Sequence, residues 1–237
     1  MLMEKTNRIP EAFLIAVAIV VMGICLKAGI DNFTNKDRRV TAKGLAEREV
    51  AADKVTWPIV SVELGNDLPQ LYNKINATTA KIKTFLKENG VPDSDISVNP
   101  PVVYDKNANL YSNERVVNRY NITSVITVTS SDVDKIRGII TRQGELLKQG
   151  VAIVDGGYEN PIVYEYTGFN DIKPEMMKEA IANAQSTAEQ FAENCNSDLD
   201  KIITATQGQF SIENRDNNSP HIKKIRVVST ITYSLKD

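Results

Sequence analysis

Two cysteines and one histidine in 237 residues leave this chain short of soft ligands. A Cys₂His₂ zinc site, an iron–sulfur cluster and a disulfide framework each need more than that. No cofactor is therefore expected. An excess of charge is missing too: 28 Lys+Arg stand against 30 Asp+Glu, for a formal charge of -2 and a pI near 5.6. That balance offers nothing to neutralise phosphates and argues against a nucleic-acid partner. Glycine (12) and proline (9) are too few for a fibrous or disordered chain, and no G-x-x-x-x-G-K-[ST] phosphate loop is present. What remains, with 42% apolar residues, is one or two domains of mixed α and β character.

Long apolar runs are rare as well, with one exception. Residues 12–26 (AFLIAVAIVVMGICL) carry no charge, and past Lys27 the run continues to Ile30. Nineteen residues rise about 28 Å as a helix, close to the hydrocarbon thickness of a bilayer. Lys27 lies near the end, where its ammonium can reach the interface. A cleaved leader would end in small residues of the A-x-A kind, which Met22-Gly23-Ile24-Cys25-Leu26-Lys27 does not supply. Ile24 before Cys25 also speaks against a lipoprotein site. A buried core helix would show a polar face, and none is there. A retained anchor is thus favoured over a cleaved leader. The chain then divides into a flank (1–11), a transmembrane span (12–30), a linker (31–37) and a domain (38–237). Lys5 and Arg8 precede the span, while Lys27, Lys36, Arg38 and Arg39 follow it. A plain positive-inside count opposes export, but long domains translocate largely regardless of charge.

Within the domain, periodicity alternates between two and 3.6 residues. Residues 39–44 and 53–65 read as strands, the second with Val55, Trp57 and Ile59 on one face and Val60, Val62 and Leu64 on the other; Pro58 implies an edge or a bulge. A helix follows, capped by Asp67 and stopped at Asn89-Gly90, with Leu68, Leu71, Tyr72, Ile75, Thr79, Ile82, Phe85 and Leu86 at helical spacing. Strands are expected at 96–104 and 116–129. A second helix starts near Ser131, with Val133, Ile136, Ile139, Ile140, Leu146 and Leu147 as its face and Gly150 as its stop. Residues 151–154 and 161–166 read as a hairpin or a kinked strand about Asp155-Gly156-Gly157. The third helix, 174–194, presents Met177, Ala180, Ile181, Ala184, Ala188 and Phe191, and strands at 201–212 and 222–235 close the chain. The order ββα-ββα-ββα-ββ contains a βαββαβ core at 53–166. It predicts an α+β fold, a mainly antiparallel sheet with helices on one face, preceded by the transmembrane helix.

Candidate chemistry is sparse. A Ser/His/Asp arrangement would have to pass through His221, which sits beside Pro220 and reads better as a solvated loop residue. Cys195 ends the third helix, where a thiolate is disfavoured, and burial as a small hydrophobe is expected. Asp132 and Asp134 suit a helix start; Asp198 and Asp200 lack the spacing of a calcium loop. Lys224 and Arg226 fall on the solvent side of a strand. No catalytic or metal-binding residue is singled out. Apolar side chains in or beside polar tips are more informative: Tyr104, Leu110 and Tyr111 around one connection, Phe210 and Ile212 beside another. These five are the candidate interface, although packing back onto their own sheet explains them equally.

The residues also resemble a known family. Val40-Thr41-Ala42-Lys43-Gly44-Leu45-Ala46-Glu47, Ala52-Asp53-Lys54-Val55-Thr56-Trp57, the run from Arg119 to Val128 leading into Asp132-Val133-Asp134-Lys135, the Ala-rich stretch at 179–184 and the closing run from Ile225 to Tyr233 occur in the order of the SIMPL (DUF541) family. That resemblance covers about residues 37–237. It implies a mostly bacterial, exported or membrane-tethered protein with its domain outside the cytoplasm, on the periplasmic side. Envelope and oxidative stress are associated with the family, and some members build ring- or channel-like homo-oligomers. It supplies no catalytic residues. The expected function is that of a non-enzymatic, membrane-anchored envelope scaffold that self-associates. The alternative is a monomeric extracytoplasmic binding module for a peptide or small ligand, whose identity the sequence leaves open.

Overall fold

Across Ala12–Ile30 no side chain is buried, which sets α1 (Ile9–Thr34) apart from the other helices. This is a computed structural model, and it describes residues 9–34, 38–108 and 117–236. The expectations for linker residues 35–37, for Leu110 and Tyr111, and for a strand start at Val116 lie outside the described residues. Over Ala12–Ile30, Lys27 apart, α1 is apolar all round, and as a helix it makes its backbone hydrogen bonds within itself, the two requirements for a segment in lipid. It is long and apolar enough to cross a membrane, as an anchor or as a leader.

The rest is a mixed α+β fold with antiparallel sheets, and it divides into two compact units. One holds Arg48–Ile172 and Ile212–Ile225; the other holds Met1–Glu47, Lys173–Ser211 and Arg226–Asp237.

In the unit centred on Arg48–Ile172, β2 (Lys54–Gly65) pairs with β5 (Tyr120–Ser130) in unbroken antiparallel register from Val55↔Ser130 to Gly65↔Tyr120. Alternation turns Val55, Trp57 and Ile59 of β2 and Ile126 and Val128 of β5 into one core. Onto it pack Ile82, Phe85 and Leu86 of α2 (Leu68–Glu88) and Val133, Ile136 and Ile139 of α3 (Val133–Thr141). Asp67 caps α2 by accepting from the Gln70 N–H at 3.0 Å, and Gly90 leaves the helix at φ +78°. Both ends are as the sequence predicts; on the exposed flank, Leu68 and Tyr72 stay in solvent.

Several expectations need correction in this unit. The strand expected at 96–104 is broken at Pro100-Pro101 into β3 (Ile96–Val98) and β4 (Val102–Asp105), both paired with β5. The second helix is likewise two, α3 and then α4 (Gly144–Lys148), and Leu147 is exposed. β6 (Ile153–Val154) and β7 (Val163–Glu165) do not form a hairpin. Each pairs antiparallel with β2, so they lie end to end as a kinked strand with the glycine turn as an excursion. Pro58 falls between the two stretches, where a missing N–H removes no ladder bond on that side.

The other unit is built on β10 (Ile222–Lys236) from Arg226 onward, flanked by β1 (Arg39–Ala51) up to Glu47 on one side and by β8 (Asp198–Gln207) on the other; β9 (Ser211–Asn214), which also pairs with β10, falls from Ile212 onward in the first unit. β8 runs antiparallel to β10. β1 does so as well: Leu235 donates to the Arg38 carbonyl at 3.0 Å and Ala52 to that of His221 at 2.8 Å. β1 is longer than residues 39–44, and the strand expected at 201–212 breaks at Gly208, leaving three strands after the last helix. That helix, α5 (Phe169–Asn194), begins before Pro174, which sits inside it. Its buried stripe is Met176, Ala180, Ala184, Ala188 and Ala192, rotated from the expected one; Ile181 and Phe191 are exposed. The cause is at Gly44. A Cβ there would lie 1.9 Å from the Ala180 carbonyl oxygen and 2.2 Å from the Ala184 nitrogen, so α5 rests directly on the strand and only alanines fit beneath it.

Candidate functional site

Polar chemistry gathers where β1 turns into β2. Asp53, in the first turn-and-strand motif of the sequence, accepts from the Thr167 N–H at 2.8 Å, the Thr167 hydroxyl at 3.1 Å and the Gly168 N–H at 3.0 Å. Burial pushes its carboxyl up, but these donors outweigh it and hold the pKa below the ordinary aspartate value. The carboxylate is a clasp that fixes the approach to α5. Replacing Asp53 with Ala is expected to cost about 1–3 kcal/mol by leaving those donors to compete for water. A lowered carboxyl pKa stabilises the fold above the unfolded value and loses that contribution as pH falls through the folded one. Thermal melts at pH 7 and pH 3 should therefore show the gap between wild type and D53A narrowing in acid; a gap that widens would remove Asp53 from this role.

His221 is half-buried rather than fully solvated, its ring edge-on to Tyr164 with centroids 6.2 Å apart. Burial, then the nearby Arg137 and Arg215 guanidinium groups, lower its pKa and favour the neutral ring. Tyr164 also borders a shallow depression of about 390 Å³ lined by Asp134, Arg137, Gly138, Ile140 and Thr141. Its polar groups are committed locally: Arg137 pairs with Asp134 at 3.1 Å and Thr141 donates to the Gly138 carbonyl at 2.7 Å. Asp132 caps α3 through the Lys135 N–H at 3.1 Å, the helix-start role expected of it. Lys223 points inward and donates to Asn214, and burial lowers its pKa against the raising effect of Glu165. Arg226 faces solvent, as alternation predicts. Among the described residues, no group of three or more His, Cys, Asp or Glu is placed to hold a metal ion.

Three of the five candidate interface residues, Tyr104, Phe210 and Ile212, lie among the described residues. Tyr104 is exposed on β4, by register opposite Asn121 of β5, which in turn faces Leu64 of β2. Asn121 has an enclosed side-chain oxygen without a partner among the described residues. Phe210 is half-buried in the break after β8, and Ile212 is exposed on β9. Leu110 and Tyr111 lie outside the described residues. Cys195 is exposed, not buried: it follows the last turn of α5, in which Ala192 takes the inward position.

A feature not expected from the sequence lies on β8. Every residue of this strand except Leu199 is exposed, with Ile202 at 58% and Ile203 at 41%, and among the described residues it pairs with β10 alone. Between β8 and α5 runs a groove of about 250 Å³ lined by Ile181, Ile202, Ala205, Thr206, Gln207, Ser229 and Ile231. The adjacent pair Ile202-Ile203, apolar on both faces of a strand, was the available signal.

A family model described as SIMPL, a protein of unknown function (DUF541), matches residues 40–232. The chain belongs to the SIMPL family. No curated protein matches it. The matched span begins in β1 and ends in β10, so it takes in both units and leaves α1 outside. Within the SIMPL domain, Gly44 and Asp53, both in the opening motifs, have roles in packing and in chain clasping.

Proposed function

We propose that this SIMPL protein is a non-enzymatic envelope protein, held in the membrane by α1 with its domain on the extracytoplasmic side, and that its domain self-associates into a scaffold or ring-like oligomer. The observation that carries the reading is the pairing of a helix that is apolar and exposed over Ala12–Ile30 with an open, apolar sheet edge in the same unit. Both surfaces need a cover. Supporting it, His221 packs on a tyrosine instead of a nucleophile, and the clustered charges described above are spent in local pairs. The test is the mass of the full chain reconstituted in lipid discs large enough to hold several copies. Discs containing a defined multiple of 26.3 kDa, at protein-to-lipid ratios where chance co-capture is rare, are expected. Discs with single copies throughout would overturn self-association. If they also held a retained peptide, the monomeric binding module would take its place.

A further inference from the structure

We infer that the open β8 edge is the contact through which copies anchored in one membrane join, with β8 of one copy alongside β1 of the next. This rests on the anchored, self-associating reading. Residues 35–38 separate α1 from β1. Four residues reach at most about 14 Å, so the start of β1 is held near the membrane surface. The end of β10 and the start of β8 lie at the same level: Leu235 donates to the Arg38 carbonyl, Lys236 pairs with Asp198, and the Arg38 guanidinium donates to Ser197 at 2.7 Å. β1 and β8, both antiparallel to β10, therefore start from the membrane side and run away from it together.

Anchors in a shared membrane relate copies by rotation about its normal. Strands that all leave the membrane in one direction meet in parallel under such an axis. An antiparallel β8–β8 pair needs a two-fold perpendicular to the strands, which would put the two anchors at opposite ends; a two-fold along the normal cannot build a parallel β8–β8 ladder, because its two strands bond through alternate residues offset by one. The partner edge that fits is β1, the other margin of the same sheet, which also pairs with β10 alone. The interface is then head-to-tail, and it propagates from copy to copy. Heights match as well. Thr41, Thr232 and Thr204 form one row across the sheet, Thr41 bonded to Thr232 at 2.9 Å and Thr232 paired with Thr204. In neighbours standing at equal height, Thr204 of one copy comes beside Thr41 of the next.

Size selects the occupant. The first part of β8 carries Asp198, Asp200 and Lys201, charges that guard an edge, whereas residues 202–207 (IITATQ) carry none. Six residues extend about 20 Å, and a strand with its overlying helix is about 20 Å deep, giving roughly 400 Å² per copy. A stable complex between free proteins buries about 800 Å² per partner. A diffusing partner would be held weakly here. A second copy confined to the same membrane gains the effective concentration that compensates for the small area.

The experiment uses the full chain in membranes, with Cys25 and Cys195 replaced by Ser. The double variant T41C/T204C, oxidised gently, is expected to give a reducible ladder of dimers and larger species. K43C/T204C, one row further along β1, covers a tilted strand. T41C or T204C alone is expected to stay monomeric. I202D, at an exposed position, is expected to weaken association at least tenfold while keeping the wild-type circular dichroism spectrum. Dimers from T204C alone would show β8 meeting β8 and overturn the inference. Oligomers in lipid discs with no ladder from either double variant would overturn this interface while leaving self-association standing. Single copies in the discs would overturn both.

Discussion

Gly44→Ala is expected to unfold or severely weaken the unit that contains α5, although it adds one methyl group. The new Cβ would sit 1.9 Å from a backbone oxygen and 2.2 Å from a backbone nitrogen of α5, so no side chain can rotate out of the way. The helix must lift off the sheet. Lifting it opens space over Val40, Ala42, Ala184, Ala188, Ile231 and Tyr233, the residues that form this unit's core. Overpacking of this kind costs about 1–3 kcal/mol where neighbours can adjust, and the rigid backbone here argues for about 3 kcal/mol or more. In a chain of this size that lowers the melting temperature by about 6–12 °C. Two controls define the cause. Gly138→Ala, with nothing within 4 Å of its new Cβ, should be neutral or slightly stabilising. Ala184→Gly should not rescue Gly44→Ala, because the clash is with the backbone of residue 184 rather than its methyl. Rescue, or a G44A protein that melts like wild type, would show that α5 does not rest on β1 as described.

The same contact explains what could be read from the sequence and what could not. Signals written in neighbouring residues held: Asp67 and Gly90 bound α2, and the alternation Val55, Trp57, Ile59 gives the buried face of β2. Signals that depend on distant residues did not. Periodicity alone admits Ile181 and Phe191 to the inner face of α5, as large apolar residues usually are. The close approach at Gly44, on a strand far away in sequence, leaves room only for the stripe at 176, 180, 184, 188 and 192. Cys195 follows from that rotation, because Ala192 occupies the inward position near the helix end. The edge position of β8 was hidden for a related reason. A strand's own residues state that it is a strand, whereas which strand has one neighbour instead of two is fixed by the pairing order of the whole sheet. Pro100-Pro101 and Gly208 mark breaks that are local, so the division of those strands is legible in their own residues. As for the candidate surface, the sequence pointed to loop tips. The structure adds an exposed apolar groove on regular structure, between β8 and α5.

Replacing Val20 and Val21 together by Arg is expected to change where the whole protein resides. Both lie near the middle of the Ala12–Ile30 span and are exposed there. Each arginine at the centre of a transmembrane helix costs about 2.5–3.5 kcal/mol of insertion free energy, so the pair opposes insertion by roughly 6 kcal/mol, a factor above 10⁴. Their separation from the ends of the span leaves snorkelling little reach to relieve the cost. The wild-type chain should stay with the membrane through alkaline extraction, and the double variant should be recovered in the soluble fraction. Cys195 supplies a second readout, since it is exposed on the folded domain. With Cys25 replaced by Ser, a membrane-impermeant thiol reagent should label the wild-type domain in intact cells, and should label the variant only after lysis. The two readouts separate the possible failures. Labelling of the wild type only after lysis, with the protein still in the membrane, would reverse the orientation and keep the anchor. Wild-type chains found soluble, shortened near residue 30 and labelled from outside would identify α1 as a leader that is removed. In that case the shared membrane that brings β8 of one copy to β1 of the next would be lost, and the roughly 400 Å² available per copy would have to hold a complex unaided, about half of what free partners need.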